Sequence, residues 1–514
     1  MSWSGWPPRT RGLATRPKAA AAGALLLLWA AAPACVPRGA VRDRAPASLT
    51  VLLYEGLDTL DPTIDQQFVT DLVLSNVYEP LVGFDANLQL QPLLASSWEN
   101  PRPDVWRFHL RRDARFHDGT PLTAARVKEA FEAARDPAKA TSSFMRHLQA
   151  LEAVDDQTID IRTAGPKAIL AHLTFLYVAK PNAAAEFPPL VGTGPYRVRE
   201  WRRGESVTVE RWDGYRGAPP AANGATFLAV PDPNSRLARL GDGSADIAHD
   251  VTPAPGTLPP QVRLVHCPGQ SVYYLGFSLR KGPGHPFSDW RVRKAFHLAI
   301  DREAIVRDAL EGRGAVASQP VAPLVFGYNP KLVPPERDLE RARRLLTSAG
   351  HGSGLDVRLD VFRRRESVAR RIRDDLAALG VRVVVNPLDN AVLYDRAARG
   401  QSDFHLVGWD CTSGEASEFY EVLLHTPSGR DGQGNFGGYS NPVIDEIAET
   451  NVAVLAPSER QALLQRAAAI VMDELPILPL YTEDDVYGVR EHVVLRPRAD
   501  AKLHLNELAL AKPR

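Results

Sequence analysis

The sequence predicts an α/β protein with at least two lobes. Capped segments of helical period recur along the chain, and short β-rich runs alternate with them. At roughly 150 residues per domain, 514 residues hold about three domains' worth of core. A hydrophobic fraction of 44% and a charged fraction of 24% fit an ordinary globular chain. With 61 Lys+Arg against 61 Asp+Glu, the basic excess of a general nucleic-acid binder is missing. Three cysteines are too few for a disulfide scaffold, and 42 Pro with 37 Gly stay below low-complexity levels.

The first 34 residues carry Arg9, Arg11, Arg16 and Lys18 and no acid, then the apolar run 19–34. A spanning helix needs about 20 apolar residues, so this shorter run reads as the core of a secretory signal, residues 1–34. It ends in Ala32-Pro33-Ala34-Cys35, which resembles a lipoprotein cleavage box with Ala32 where Leu is preferred. Cys35 is thus the expected lipidation site and membrane anchor; the alternative is a plain cleaved signal. Residues 35–47, with Pro37, Gly39 and Pro46, read as a tether. The mature chain is expected outside the cytoplasm, in the periplasm or at the cell surface.

A strand-like run over Leu49–Tyr54 opens the fold. Thr123 caps a helix with Val127, Phe131 and Ala134 on one face. Ser288 precedes a helix carrying Val292, Ala295, Phe296 and Ala299; Asp301 restarts it and Gly312 stops it. Leu339 to Leu346 and Val368 to Leu376 repeat the pattern, ended by Gly350 and Gly380. Asn441-Pro442 starts another helix, and Ser458 with Gln461 forms a capping box before Leu463. Strands are expected at Val272–Leu279, Val357–Phe362, Val381–Val385, Phe404–Gly408 and Ile477–Tyr481.

No CxxC, HExxH, P-loop or GxSxG pattern occurs, and the histidines are scattered singly. Enzymatic activity, cofactors and metal ligands are therefore not expected. Cys267 and Cys411 are far apart, and nothing in their spacing demands a bridge.

More specific strings follow in order. Leu60-Asp61-Pro62, Val77-Tyr78-Glu79-Pro80-Leu81 and Pro92-Leu93-Leu94-Ala95-Ser96-Ser97-Trp98 come first. Then come Phe116-His117-Asp118-Gly119-Thr120-Pro121-Leu122-Thr123, Gly192-Thr193-Gly194-Pro195-Tyr196 and Phe287-Ser288-Asp289-Trp290-Arg291-Val292-Arg293-Lys294-Ala295-Phe296. Gly408-Trp409, Tyr439-Ser440-Asn441-Pro442 and Leu478-Pro479-Leu480-Tyr481 close the series. From about residue 50 to 490 this order resembles family 5 extracellular solute-binding proteins, the peptide- and nickel-type binding components of ABC importers.

The resemblance implies a two-lobed periplasmic-binding-protein clamp with an extra inserted subdomain in the first lobe. It divides the chain into 48–271 as lobe I, with the insertion at about 75–185, then 272–481 as lobe II and 482–514 as the return to lobe I. Its partners would be a small-molecule or oligopeptide solute and an ABC permease with its ATPase, with the protein a monomer. The alternative function is a clamp-fold signalling receptor or extracytoplasmic chaperone without transport.

In peptide-binding relatives, an aspartate after Gly-Trp pairs with the peptide amine. Here Thr412 falls at that place and lacks the charge, while Asp410 lies two residues away, on the same face if the segment is extended. Arg363, Arg364 and Arg365 follow a strand where some relatives present an arginine to the ligand carboxylate, a match of fork to carboxylate. Trp409 and Tyr274 are expected at strand ends as apolar walls, and Tyr54 and Glu55 at the end of the first strand.

Overall fold

The computed structural model describes residues 48–511 apart from 65–66, 146, 182–189, 255, 412 and 430. The signal segment, the tether, Cys35 and Thr412 lie outside the described residues.

Helices begin where short polar side chains replace the missing backbone acceptors. Thr123 accepts from the Arg126 N–H, Asp301 from Ala304, Asp338 from Arg341 and Asn441 from Val443. Two expected starts are corrected. Asp289 rather than Ser288 caps the helix Trp290–Ala299. Ser458 and Gln461 form no box: the helix Pro457–Glu474 starts at its proline after Ala456. A fixed φ at the first helical position sets that start two residues earlier than the box would. The expected stops at Gly350 and Gly380 hold both glycines at positive φ just past their helices.

Seven strands form one sheet, ordered Tyr196–Arg202, Ser206–Arg211, Gly224–Ala229, Ser48–Leu53, Ile247–His249, Asp485–Arg490 and Val262–Cys267. Ser48–Leu53 runs parallel to both of its neighbours. Six strands form a second sheet: Gly314–Val316, Ile477–Glu483, Ser271–Phe277, Phe404–Asp410, Leu355–Phe362 and Val381–Leu388. In Ser271–Phe277, alternation sends Tyr273, Leu275 and Phe277 into a core with Val292, Phe296 and Ile372. Val272 and Tyr274 go into a separate core with Phe419 and Leu464. Both faces are covered, so these strands read as continuous apolar runs.

A third, four-stranded antiparallel sheet of Ala95–Arg102, Val105–Leu110, Thr158–Thr163 and Leu148–Asp155 has its own core around Phe108, Phe131 and Ile161. Phe108 and Leu110 point inward there, as their alternation requires.

The chain passes between the two large sheets twice. Val262–Cys267 of the first leads through 268–270 to Ser271–Phe277 of the second, and Ile477–Glu483 of the second leads through Asp484 to Asp485–Arg490 of the first. The crossings touch: a Cβ on Gly269 would fall 1.7 Å from the Glu483 carbonyl oxygen. Two lobes on two short adjacent connections make a clamp whose relative motion must centre on those connections. Among the described residues, no helix is long and apolar enough to cross a membrane.

Candidate site between the lobes

Carboxyl ends of parallel strands leave backbone groups and side chains pointing into a crevice. Ser48–Leu53 ends at Tyr54, and Leu355–Phe362 ends at the arginine run. Tyr54 is half-buried, its ring centroid 5.8 Å from His249, which in turn lies 5.1 Å from Phe68 and 4.8 Å from Tyr487. Burial first, then Glu55, Asp250 and Asp485, push the Tyr54 hydroxyl up to about 12, while Arg364 of the opposite lobe pulls it down. Glu55 is half-buried beside it.

The three arginines are not equivalent. Arg363 is exposed and pairs with exposed Asp389 at 2.8 Å. Arg365 is nearly buried: it donates to the Tyr273 hydroxyl at 2.7 Å, pairs with Glu483 and stacks 4.4 Å above the Tyr273 ring. Arg364 forms no ion pair among the described residues and lies 5.8 Å over Phe362. Its field reaches both Tyr54 and Tyr394. Of the three, Arg364 alone is left for a ligand.

Asp410 ends the strand Phe404–Asp410, register-paired with Ser271 at the crossing, and Asp485 is paired with Cys267 just beyond it. Asp410 is half-buried and has no cation partner among the described residues. Burial first, then Asp485 and Glu418, raise its carboxyl to about 7 against the opposing hydrogen bond from Ser271. Asp485 lies 3.4 Å from His249 Nε2. Glu418, raised by burial, accepts from Ser413 Oγ at 3.1 Å. Leu355–Phe362 and Phe404–Asp410 are adjacent and parallel, so Arg364 and Asp410 share one edge of the sheet.

Trp409 is buried near the end of its strand, with Phe419 edge-on at 6.3 Å. Tyr274 is not at a strand end. It sits in mid-strand between Val407 and Pro479, buried, with Phe419 at 6.1 Å, and belongs to the core because the strand starts at Ser271. Sequence reasoning missed Asp485, Glu418 and Tyr394. Asp485 opens the strand that returns from a recognisable crossing, a usable signal; the other two come from segments with no distinctive pattern. Cys267 and Cys411 are both free and buried, and the described residues contain no cluster of three or more metal-ligating groups.

Comparison with known proteins agrees with this architecture. The glutathione-binding protein GsiB of Escherichia coli (strain K12) is 27% identical over 467 residues, covering 85% of this chain and 90% of that protein. The structure of HbpA2 from Haemophilus parasuis superimposes with a TM-score of 0.79 at 24% identity, covering 90% of this chain and 100% of that one. The periplasmic binding protein DppA from Helicobacter pylori, associated with an ABC transporter and solved with the peptide STSA, gives 0.71 at 23% identity, covering 90% and 98%. The profile of the bacterial extracellular solute-binding proteins, family 5 (Middle), matches residues 89–431. Two lobes joined at two touching crossings, with a polar crevice at the strand ends, are thus the build of a solute receptor, and the chain belongs to the bacterial extracellular solute-binding proteins, family 5.

Proposed function

We propose that this protein captures a small peptide or peptide-like solute and hands it to an ABC permease, and that the solute carries both a carboxylate and a cation. The observation that carries the reading is the pair of unmatched charges at one sheet edge: Arg364, without an ion pair, and Asp410, without a cation partner, among the described residues. The half-buried Asp410 carboxylate is costly to leave unpaired, while Arg364 is exposed and free to take a carboxylate, so a zwitterionic solute engages both at once. Aromatic Tyr54, Tyr394 and Trp409 would supply the apolar walls. Relatives that bind glutathione or a peptide point to the same class.

In this reading the lobes divide at the crossings, 268–270 and Asp484, a few residues from the expected 271–272 and 481–482. The four-stranded sheet belongs to an insertion at about 75–185, and Cys35 holds the mature monomer to the membrane. No catalysis is involved.

Calorimetric titration with reduced glutathione and with di- to pentapeptides, free, N-acetylated or C-amidated, tests this. Arg364→Ala should weaken the best free solute by about 1.5–3 kcal/mol, the scale of a charge-assisted hydrogen bond. That is about 10- to 150-fold in affinity. Amidation should do the same to the wild type and nothing further to the variant. Asp410→Asn should act likewise on the amine, matched by acetylation. Equal affinity for amidated and free peptides would overturn the assignment.

A further inference from the structure

Besides the two crossings, the lobes meet through elements that the crossings do not include. After the strand Thr158–Thr163 the chain turns through 164–169 into the short helix Leu170–Leu173. Trp106 Nε1 fixes this turn by donating to the Lys167 carbonyl at 2.7 Å, and Ile169 is buried beneath it. The Ala168 N–H then donates to the Val452 carbonyl at 2.7 Å, in the turn Asn451–Ala453 that ends the helix Pro442–Thr450. That turn is also braced, because Asn451 Nδ2 donates to the Ile447 and Ala448 carbonyls at 2.8 and 3.0 Å.

Three further contacts flank this bond. Leu455 leaves its own lobe and packs against the core of the four-stranded sheet. Phe84 lies so close to Gly414, held at φ +68°, that a Cβ there would come within 3.0 Å of the ring. His172 Nε2 stands 4.0 Å from Glu418 Oε1, both largely buried.

We propose that the turn 164–169 and the segment 451–455 form a latch, a contact within the chain that holds the two lobes together without any solute. Each half is rigid before contact, so closing it orders little additional chain. The hydrogen bond is main chain to main chain, and Leu455 packs against the core of the four-stranded sheet rather than against the core of its own lobe. None of Ala168, Val452 and Leu455 belongs to the site at the strand ends. The latch therefore sets how much of the solute-free population is closed, and solute affinity follows that fraction.

Leu455→Asp tests the latch in the solute-free protein, because a carboxylate cannot stay in that apolar contact. Two readouts are used: hydrogen exchange over residues 164–170 and the radius of gyration from small-angle scattering. In the variant the Ala168 amide should exchange at least about tenfold faster, as a local opening exposes it. The radius of gyration should rise, while the strand Ser271–Phe277 keeps its protection. Leu455→Ala, which adds no charge, should move both readouts the same way and less far, and it carries the test if the aspartate variant does not fold. Wild-type exchange at Ala168 and an unchanged radius in a folded variant would overturn the latch.

Discussion

Asp410 is the residue where burial and charge conflict most openly. Its carboxyl is raised from the ordinary range to about 7 by burial and by Asp485 and Glu418. Because the folded value lies above the unfolded one, the folded protein prefers the protonated acid. The penalty is absent below pH 4, grows between pH 4 and about 7, and is constant above that. Asp410→Asn should therefore stabilise the solute-free protein by about 1–3 kcal/mol at pH 8 and scarcely at all at pH 4. Denaturant titrations at the two pH values check this; an equal change at both would mean that the carboxylate is relieved by a partner. Asp410 was legible in the sequence because it stands two places from Thr412 in a recognisable string. Asp485, which raises it, lies 75 positions later, and only the pairing of Cys267 with Asp485 and of Ser271 with Asp410 brings them to one place.

At the scale of elements, the three consecutive arginines at the end of Leu355–Phe362 show why composition alone misleads. All three were candidates for a ligand carboxylate, yet the turn sends them in different directions. Arg365 is spent on the crossing strand: it pairs with Glu483 and meets the Tyr273 hydroxyl, in a place where both partners are largely buried. Removing it strands Glu483 with, among the described residues, only Arg313 at 3.9 Å. Arg365→Ala should then cost about 3 kcal/mol, the scale of breaking a buried pair from one side. Arg363→Ala, at an exposed pair, should cost at most about 0.5 kcal/mol. Thermal melts of the two variants decide it, and equal losses would contradict the assignment. The expected helix starts and most strands of the six-stranded sheet were legible to within a few residues, because caps, glycine stops and β-branched runs act locally; of the seven-stranded sheet only Ser48–Leu53 was. The mid-strand position of Tyr274 was not. The strand begins at Ser271, paired with Asp410 at the crossing, so Tyr274 stands three residues inside it, and both faces there are covered by core.

For the whole molecule, the decisive feature is that the two lobes are joined twice within one small region. A clamp pivots only if its connections are short, adjacent and able to pass close together. Here Gly269 supplies the close passage: it lies against the Glu483 carbonyl, and its φ is not in the left-handed region, so the constraint is space rather than backbone strain. A methyl group at 1.7 Å from that oxygen cannot be accommodated without driving the two crossings apart. Gly269→Ala should destabilise by about 3 kcal/mol, at the upper end of overpacking losses. It should also weaken any captured solute, since the crossings carry both Asp410's partner Ser271 and Asp485. Gly284→Ala is the control: nothing lies within 4 Å of its added Cβ and its φ is ordinary, so its melting temperature should match the wild type. If the two alanine variants melt alike, the crossings are not the tight pivot described here, and closure must be sought elsewhere in the chain.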